Sequence, residues 1–326
     1  MKDRRRPLPT QQTGGATQAS SQRFFELLPA HTSIDFVKMA PRVLPLSVLF
    51  ILIGLASIYL RGGLNYGIDF TGGTLVQVRF AKPTPITDVR SALDRPELRG
   101  VVVQDMGQEG REFQIRVQVE GESAITGAAE ATRAGLLKKF GEGAYEVLSV
   151  ESVGPKVGRD LWRNATLAVL VSTVMMGIYI AIRFDLRFGV GVAVALLHNV
   201  LFALAAISLA NMEFDLTTVA ALLTIVGFSV NDNVVISDRI RENMGKMRRG
   251  DLATILNVAI NETLSRTVIN SGTVIFVSTA LFLLGGSVIH SFAFTLLVGF
   301  IIGTYSSIFV STPIVLFLDR YRKRRL

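Results

Sequence analysis

Six apolar runs restrict this chain to a small set of folds: Val43 to Leu60, Leu161 to Ile182, Phe188 to Ala210, Leu216 to about Ser237, Thr267 to Leu284 and Ser291 to Leu318. Each is near the roughly 20 residues that a helix needs to cross a bilayer. Inside lipid a backbone must satisfy its own hydrogen bonds, and a helix does so within a single run. Charged residues make up 18% of the chain and hydrophobic ones 49%, whereas a soluble chain carries about 25% charged residues. The deficit lies in the runs, so a polytopic α-helical membrane protein with six transmembrane helices is expected.

The basic residues set the expected orientation. Arg183 and Arg187 flank the turn after the second run, and Arg239, Arg241, Lys246, Arg248 and Arg249 follow the fourth. Arg320, Arg322, Lys323, Arg324 and Arg325 close the chain, whereas the opposite loops, Asn211 to Asp215 and Gly285 to His290, hold no Lys or Arg. Lys and Arg mark the cytoplasmic face, so both termini are expected inside and the insertion after the first run outside. The formal charge of +8 therefore points to anionic lipid and not to nucleic acid. The chain divides into a cytoplasmic tail and interfacial lead-in over residues 1–40, a first transmembrane helix over 41–60 and an inserted domain over 61–160. The five remaining helices occupy 161–318, and 319–326 form a basic cytoplasmic tail. The basic start (Lys2, Arg4, Arg5, Arg6) runs into polar residues with no apolar core until about residue 43, which does not read as a cleavable signal.

Within the insertion, Leu75 to Phe80 alternates as a strand and Ile86 to Leu93 reads as a short helix after Thr84-Pro85. Val101 to Asp105 and Phe113 to Val119 flank a turn containing Gly107 and Gly110. A helix over Ile125 to Phe140 and a strand over Tyr145 to Val150 complete the order β-α-β-β-α-β. That order predicts a ferredoxin-like α+β domain, a four-stranded antiparallel sheet with helices on one face.

No cysteine is present, which excludes disulfides, thiolate metal sites and cysteine nucleophiles. His31, His198 and His290 lack the spacing of metal ligands. Neither a metal, a cofactor nor an enzymatic activity is expected.

The fourth run is broken by Ser229-Val230-Asn231-Asp232-Asn233. Charge inside a membrane is costly and normally functional. Residues three and four apart share a helix face, so Ser229, Asp232, Asn233 and Ile236 form one stripe, with Asn231 and Asp238 off it. Asp232 reads as a titratable group on a proton path, or as a carboxylate held by an arginine for packing alone. Arg266 is a candidate partner for Asp232 or Asp238, the plainer reading being a marker of the cytoplasmic boundary. Asn270, Ser271 and Thr273 carry a polar face deeper. His198-Asn199 interrupts the third run, either as a hydrogen-bonded structural pair or as a relay. Glu213 and His290 fall at the outer interface, where polar residues call for no special role. Gly299, Gly303 and Ser307 leave a small-residue packing face on the sixth run. Arg239 to Gly250 reads as a cytoplasmic interfacial helix. Outside the first run, Gly67, Asp69, Phe70, Thr71, Gly72 and Gly73 predict a rigid lead into the first strand, with Asp69 capping amides. This spacing is not that of a phosphate loop.

Four ordered segments, Leu64 to Gly73, Ser152 to Pro155, Val226 to Asn243 and Asn261 to Thr267, together resemble the motifs of the SecD/SecF family of bacterial protein-export proteins, within the resistance-nodulation-division superfamily. The likeness runs from about Ile34 to the C-terminus. It implies an inner-membrane subunit that pairs with SecD in a six-plus-six helix assembly and assists the SecYEG translocon. By the same likeness the pair uses the proton gradient to draw unfolded preprotein out on the extracytoplasmic side and to prevent backsliding. Asp232 and Arg266 match conserved polar positions, with the main proton-carrying aspartate generally placed on SecD. The family often has an aspartate after the histidine of the third span, where this chain has Asn199. Two other readings are a half-unit of a proton-coupled small-molecule or lipid exporter and a non-conducting scaffold of the translocon.

Overall fold

The computed structural model describes residues 32–323, apart from residue 97, residues 107–109, 119–123 and 248–249, and residue 287. The N-terminal tail expected before residue 32, the turn at Gly107 and the last three residues, Arg324, Arg325 and Leu326, lie outside the described residues.

Helices α1 (Phe36–Leu60), α5 (Pro155–Arg183), α6 (Leu186–Leu209), α7 (Leu216–Lys246) and α8 (Leu252–Leu284) are each long and apolar enough to cross a membrane. A sixth such unit joins α9 (His290–Ser306), a π-helical turn at Ser307–Ser311, and α10 (Thr312–Lys323). Local chemistry sets their ends. Asp35 accepts from the Lys38 amide at the start of α1, and Asp215 from the Thr218 amide at the start of α7, where four backbone donors lack helical partners. Pro155 occupies the first turn of α5, where its missing N–H costs nothing.

Helices α6, α7 and α9 form the buried centre, with Ile225, Leu196 and Ile207 fully covered. Helices α1, α5 and α8 leave most of their apolar surface open. Small residues bring the axes close: a Cβ on Gly54 of α1 would lie 2.1 Å from the Ala205 Cβ of α6, and one on Gly299 would lie 2.0 Å from the Ile225 side chain.

Two expectations are corrected where α7 ends and α8 begins. Arg239 to Gly250 is not a separate interfacial helix, because α7 continues unbroken to Lys246. Ion pairs Arg239–Glu242 and Glu242–Lys246 at helical spacing, with buried Ile240 and Asn243, extend it past the apolar run. Similarly, α8 begins at Leu252, well before Thr267.

The insertion carries strands β2 (Gly73–Phe80), β3 (Arg99–Asp105), β4 (Glu112–Gln118) and β5 (Tyr145–Val153), with α3 (Ile86–Ala92) after β2 and α4 (Ala124–Phe140) after β4. The sheet order is β3-β4-β2-β5 and every pairing is antiparallel. Val89, Ala92 and Leu136 of the helices bury Val76, Val78, Phe113 and Ile115 on one face. The other face, with Leu75, Gln77 and Gln114, turns to the rim of the bundle across a cleft of about 1020 Å³. Just before the sheet, β1 (Asn65–Tyr66) and the short helix α2 (Ile68–Thr71) form the lead-in, and β1 pairs in parallel with β6 (Glu213–Phe214) of the loop between α6 and α7.

Candidate functional site

The stripe on α7 faces inward. Ser229, Asp232, Asn233 and Ile236 are all buried, whereas Asn231 and Asp238 are exposed, as a 3.6-residue repeat demands. Asp232, only 2% exposed, accepts a hydrogen bond from Ser271 Oγ at 3.2 Å and a longer one from Asn270 Nδ2 at 3.5 Å, both on α8. Ser271 Oγ accepts in turn from Thr304 Oγ1 of α9 at 2.6 Å. Three helices thus meet in one chain of hydrogen bonds, Thr304 to Ser271 to Asp232.

Arg266 makes no ion pair with Asp232 or Asp238. Asp232 lies level with Ser271, and Arg266 is five positions earlier on α8, about 7.5 Å along the axis. It instead lines with Asp232, Asn231 and Asn270 a cavity of about 640 Å³. A neighbouring cavity of about 560 Å³ is lined by Asn231, Asp238 and Arg266 with the ion pairs at the helix end. There Glu262 accepts from Arg239 at 2.7 Å and from Asn243 at 2.6 Å. The neighbouring Asn261 exchanges two hydrogen bonds with the backbone of Ile34, fastening the lead-in of α1 to α8.

His198 and Asn199 are both buried and face different partners. His198 Nε2 lies 3.0 Å from Ser47 Oγ of α1, which also receives the Tyr305 hydroxyl at 3.1 Å. Ser47 donates to the Leu44 carbonyl; with its one proton so placed, His198 Nε2 is the donor and Nδ1 is left as an unpartnered acceptor. Asn199 Nδ2 donates to Ser229 Oγ at 3.1 Å, one turn from Asp232 on α7. The histidine therefore joins α6 to Ser47 of α1, which Tyr305 ties to α9, and the asparagine joins α6 to the stripe. Gly303 leaves room beside them: a Cβ there would lie 2.5 Å from Ser229 Oγ and force that hydroxyl to turn. Ser307, also buried, sits at the first residue of the π-helical turn and donates to the Thr304 carbonyl. In that turn Thr312 Oγ1 reaches back five residues to the Ser307 carbonyl.

The loop from Gly67 to Gly73 is a seat for the inserted domain. Gly72 and Gly73 have φ of +75° and +131°, a region where side chains are strained. A Cβ on Gly72 would lie 2.8 Å from the Pro155 Cα, and one on Gly73 2.6 Å from the Val117 carbonyl oxygen. The two motifs at either end of the insertion are therefore in contact. Thr71 Oγ1 donates to the Gly67 carbonyl within the turn. Phe70 stacks on Phe214 at 5.5 Å and meets Trp162 edge-on at 5.4 Å. Asp69 caps an amide remote in sequence, that of Leu216, the first residue of α7, at 2.8 Å.

Glu213 has a larger role than its place in a surface loop suggests. Its carboxylate pairs with Arg116 of β4 at 2.6 Å and accepts from Gln114 Nε2 at 3.0 Å. Arg116 also donates to the Tyr66 carbonyl at 2.8 Å. Burial holds the Glu213 carboxyl above its usual range; Arg116 opposes that shift, while Asp215 and Asp69 add to it. Sequence reading missed this pair because its members are 97 positions apart. The one signal was alternation in Glu112 to Gln118, which puts Gln114 and Arg116 on the sheet face away from the helices. Thr304, Ser47 and Tyr305 were missed for a similar reason: isolated hydroxyls are common in membrane helices.

Comparison with known proteins follows the same landmarks. The family model described as "Protein export membrane protein SecD/SecF, C-terminal" matches residues 133–321, and the "SecD/SecF GG Motif" model matches residues 62–84. The protein translocase subunit SecF of Magnetococcus marinus is 46% identical over 299 residues, spanning 90% of this chain and 95% of that protein. SecF of Vibrio alginolyticus is 41% identical over 296 residues, or 90% and 92% of the two chains. Among solved structures, SecDF of Thermus thermophilus, described as a translocon-associated membrane protein, superposes with a TM-score of 0.79 at 35% identity. SecDF in a super-membrane-facing form gives 0.66 at 38% identity. Both superpositions cover 90% of this chain, which spans 40% of either SecDF chain.

Proposed function

The chain belongs to the SecD/SecF family of protein-export membrane proteins, on its SecF side, and is an accessory subunit of the Sec translocase; from that premise we propose that it works beside a SecD-type partner and that the proton gradient acts on it at Asp232. It is a transport subunit and not an enzyme.

The observation that carries this reading is the state of Asp232. Its carboxylate is buried in the middle of a membrane helix, held by an amide and a hydroxyl, with no cation in bonding contact. Adding a proton removes a charge and turns an acceptor into a donor. The chain Thr304 to Ser271 to Asp232 then reverses direction, since each hydroxyl has one proton to give. Reversal turns the Thr304 proton to the Phe300 carbonyl of its own helix, and the loss of charge weakens the hold of Asp232 on Asn270 and Ser271 of α8. A membrane potential supplies about 2.3 kcal/mol per charge per 100 mV. A bias of that size shifts a two-state helix arrangement by more than tenfold. Arg266, in the same cavity, supplies positive potential at its cytoplasmic end.

Other features support the wider reading. The distribution of Lys and Arg favours both termini on the cytoplasmic side of a bacterial inner membrane, with anionic lipid near the basic ends. The β-α-β-β-α-β order with sheet order β3-β4-β2-β5 supports a ferredoxin-like outer domain, suited to pressing on unfolded preprotein as it leaves the SecYEG channel. The uncovered sides of α1, α5 and α8 leave room for six helices of a SecD-type partner.

The test is to replace Asp232 with Asn and Arg266 with Gln, separately, and to follow export of a preprotein in energised membrane vesicles at matched protein levels. Loss of the part of export that responds to the proton gradient, by at least about tenfold for Asp232→Asn, is expected. Full response in both variants would leave a scaffold role.

A further inference from the structure

Among the described residues, three of the ties between the inserted domain and the membrane bundle stand out. Two are the chain itself, at Gly72 and at Pro155. The third is made by side chains and converges on the outer end of α7. Asp215 caps the Thr218 amide and Asp69, from the lead-in loop, caps the Leu216 amide. Two residues before Asp215, Glu213 receives Arg116 and Gln114 from the sheet. Arg116 gives one nitrogen to Glu213 in β6 and another to the Tyr66 carbonyl in β1, so one guanidinium grips both strands of the parallel pair. The two charged side chains are only 15% and 13% exposed.

The helix leaving this cluster also carries Asp232. From Leu216 to Asp232 is 16 residues, about 24 Å of helix. Over that length α7 holds no proline and no change of helix type. By contrast, α1 contains Pro41 and Pro45, and the sixth span contains the π-helical turn. A helix without such interruptions passes a shift or rotation along its axis with little loss.

We propose that Arg116, Glu213 and Asp69 are positioning residues that form the joint through which α7 conveys its movement to the inserted domain. The inference rests on the reading of Asp232 given above and names the route from that residue to the outer domain. Its logic is that of two sites coupled through one rigid element whose position both sites bias. A buried ion pair suits this use: it contributes little net stability, yet removing either member leaves a charge without its counterpart. Such a contact is directional and intolerant of misplacement, as a joint requires.

The chain has no cysteine, so introduced pairs can be labelled uniquely. Cysteines replacing Glu142, in the turn before β5, and Ala210, at the outer end of α6, are both exposed and carry spin labels for a distance measurement in membranes, with the partner subunit present. In the otherwise unaltered chain, Asp232→Asn is expected to shift the distance distribution. In chains that also carry Glu213→Gln or Arg116→Gln the shift is expected to vanish; with Asp232 in place, either substitution alone is expected to lower proton-gradient-dependent export by about fivefold or more. Exchange of the charges, Arg116→Glu with Glu213→Arg, is expected to restore both readings in part, which a general loss of folding would not allow. A shift that persists undiminished in Glu213→Gln and Arg116→Gln, with normal export, overturns the joint while leaving Asp232 in its role. Absence of any effect of Asp232→Asn on export overturns the underlying reading and the joint together.

Discussion

Glu213 shows how one side chain changes meaning once its neighbours are known. Its carboxyl is held above its ordinary value of 4.5 by burial, against the pull of Arg116 and with help from Asp215 and Asp69. A carboxyl with a raised value in the folded state takes up protons more readily there than in the unfolded chain. Its contribution to stability is therefore complete below 4.5 and is lost as pH rises through the folded-state value. Thermal unfolding of the purified complex is expected to show stability declining over that interval, and Glu213→Gln is expected to flatten the decline. An unchanged slope in the variant would assign it to other groups. Little of this was legible in the sequence, since an acidic residue in an outer loop has no local mark of burial. Asp232 was legible, because a charge within an apolar run stands out without any knowledge of the fold. The hydroxyl that extends its hydrogen-bond chain through Ser271 to α9 was not, because Thr304 looks like any other threonine in a membrane helix.

At the scale of elements, the apolar runs located all six spans, but their polar extensions escaped notice. Helix α7 outlasts its apolar run because paired charges at helical spacing sustain it, which hydropathy cannot register. The pairing of β1 with β6 was hidden for another reason: each strand has two residues, and the partners, Asn65 with Glu213 and Tyr66 with Phe214, are 148 positions apart. The π-helical turn was also invisible. It inserts an extra residue between α9, which packs on α7, and α10, whose Asp319 pairs with Arg187 at the start of α6. Removing Phe309 would restore a regular helix and turn α10 by about 100° relative to α9. Asp319 would then face away from Arg187. The deletion is expected to lower the steady-state level of the protein in membranes severalfold, read by immunoblot, whereas Phe309→Leu, which keeps the register, is not.

Across the whole molecule, the central helices are well covered and the outer ones are not. Phe276 and Val277 on α8 and Tyr179 on α5 lie largely open in the isolated chain. Lipid can cover apolar side chains, but not the open cavity edge formed by Asn231, Asp238 and Arg266 on one side of the bundle. The proposed SecD-type partner would close that edge. The chain made alone is therefore expected to be degraded several times faster in pulse–chase labelling than the chain made with its partner. Equal lifetimes would argue against an obligate assembly. The contact of Gly72 with Pro155 bears on the molecule at this scale as well. An insertion whose two ends touch hangs from its host by a closed neck, like a pendant on a ring. Its size and surface can be exchanged over generations without disturbing the helices beneath, provided that one arginine still finds its carboxylate.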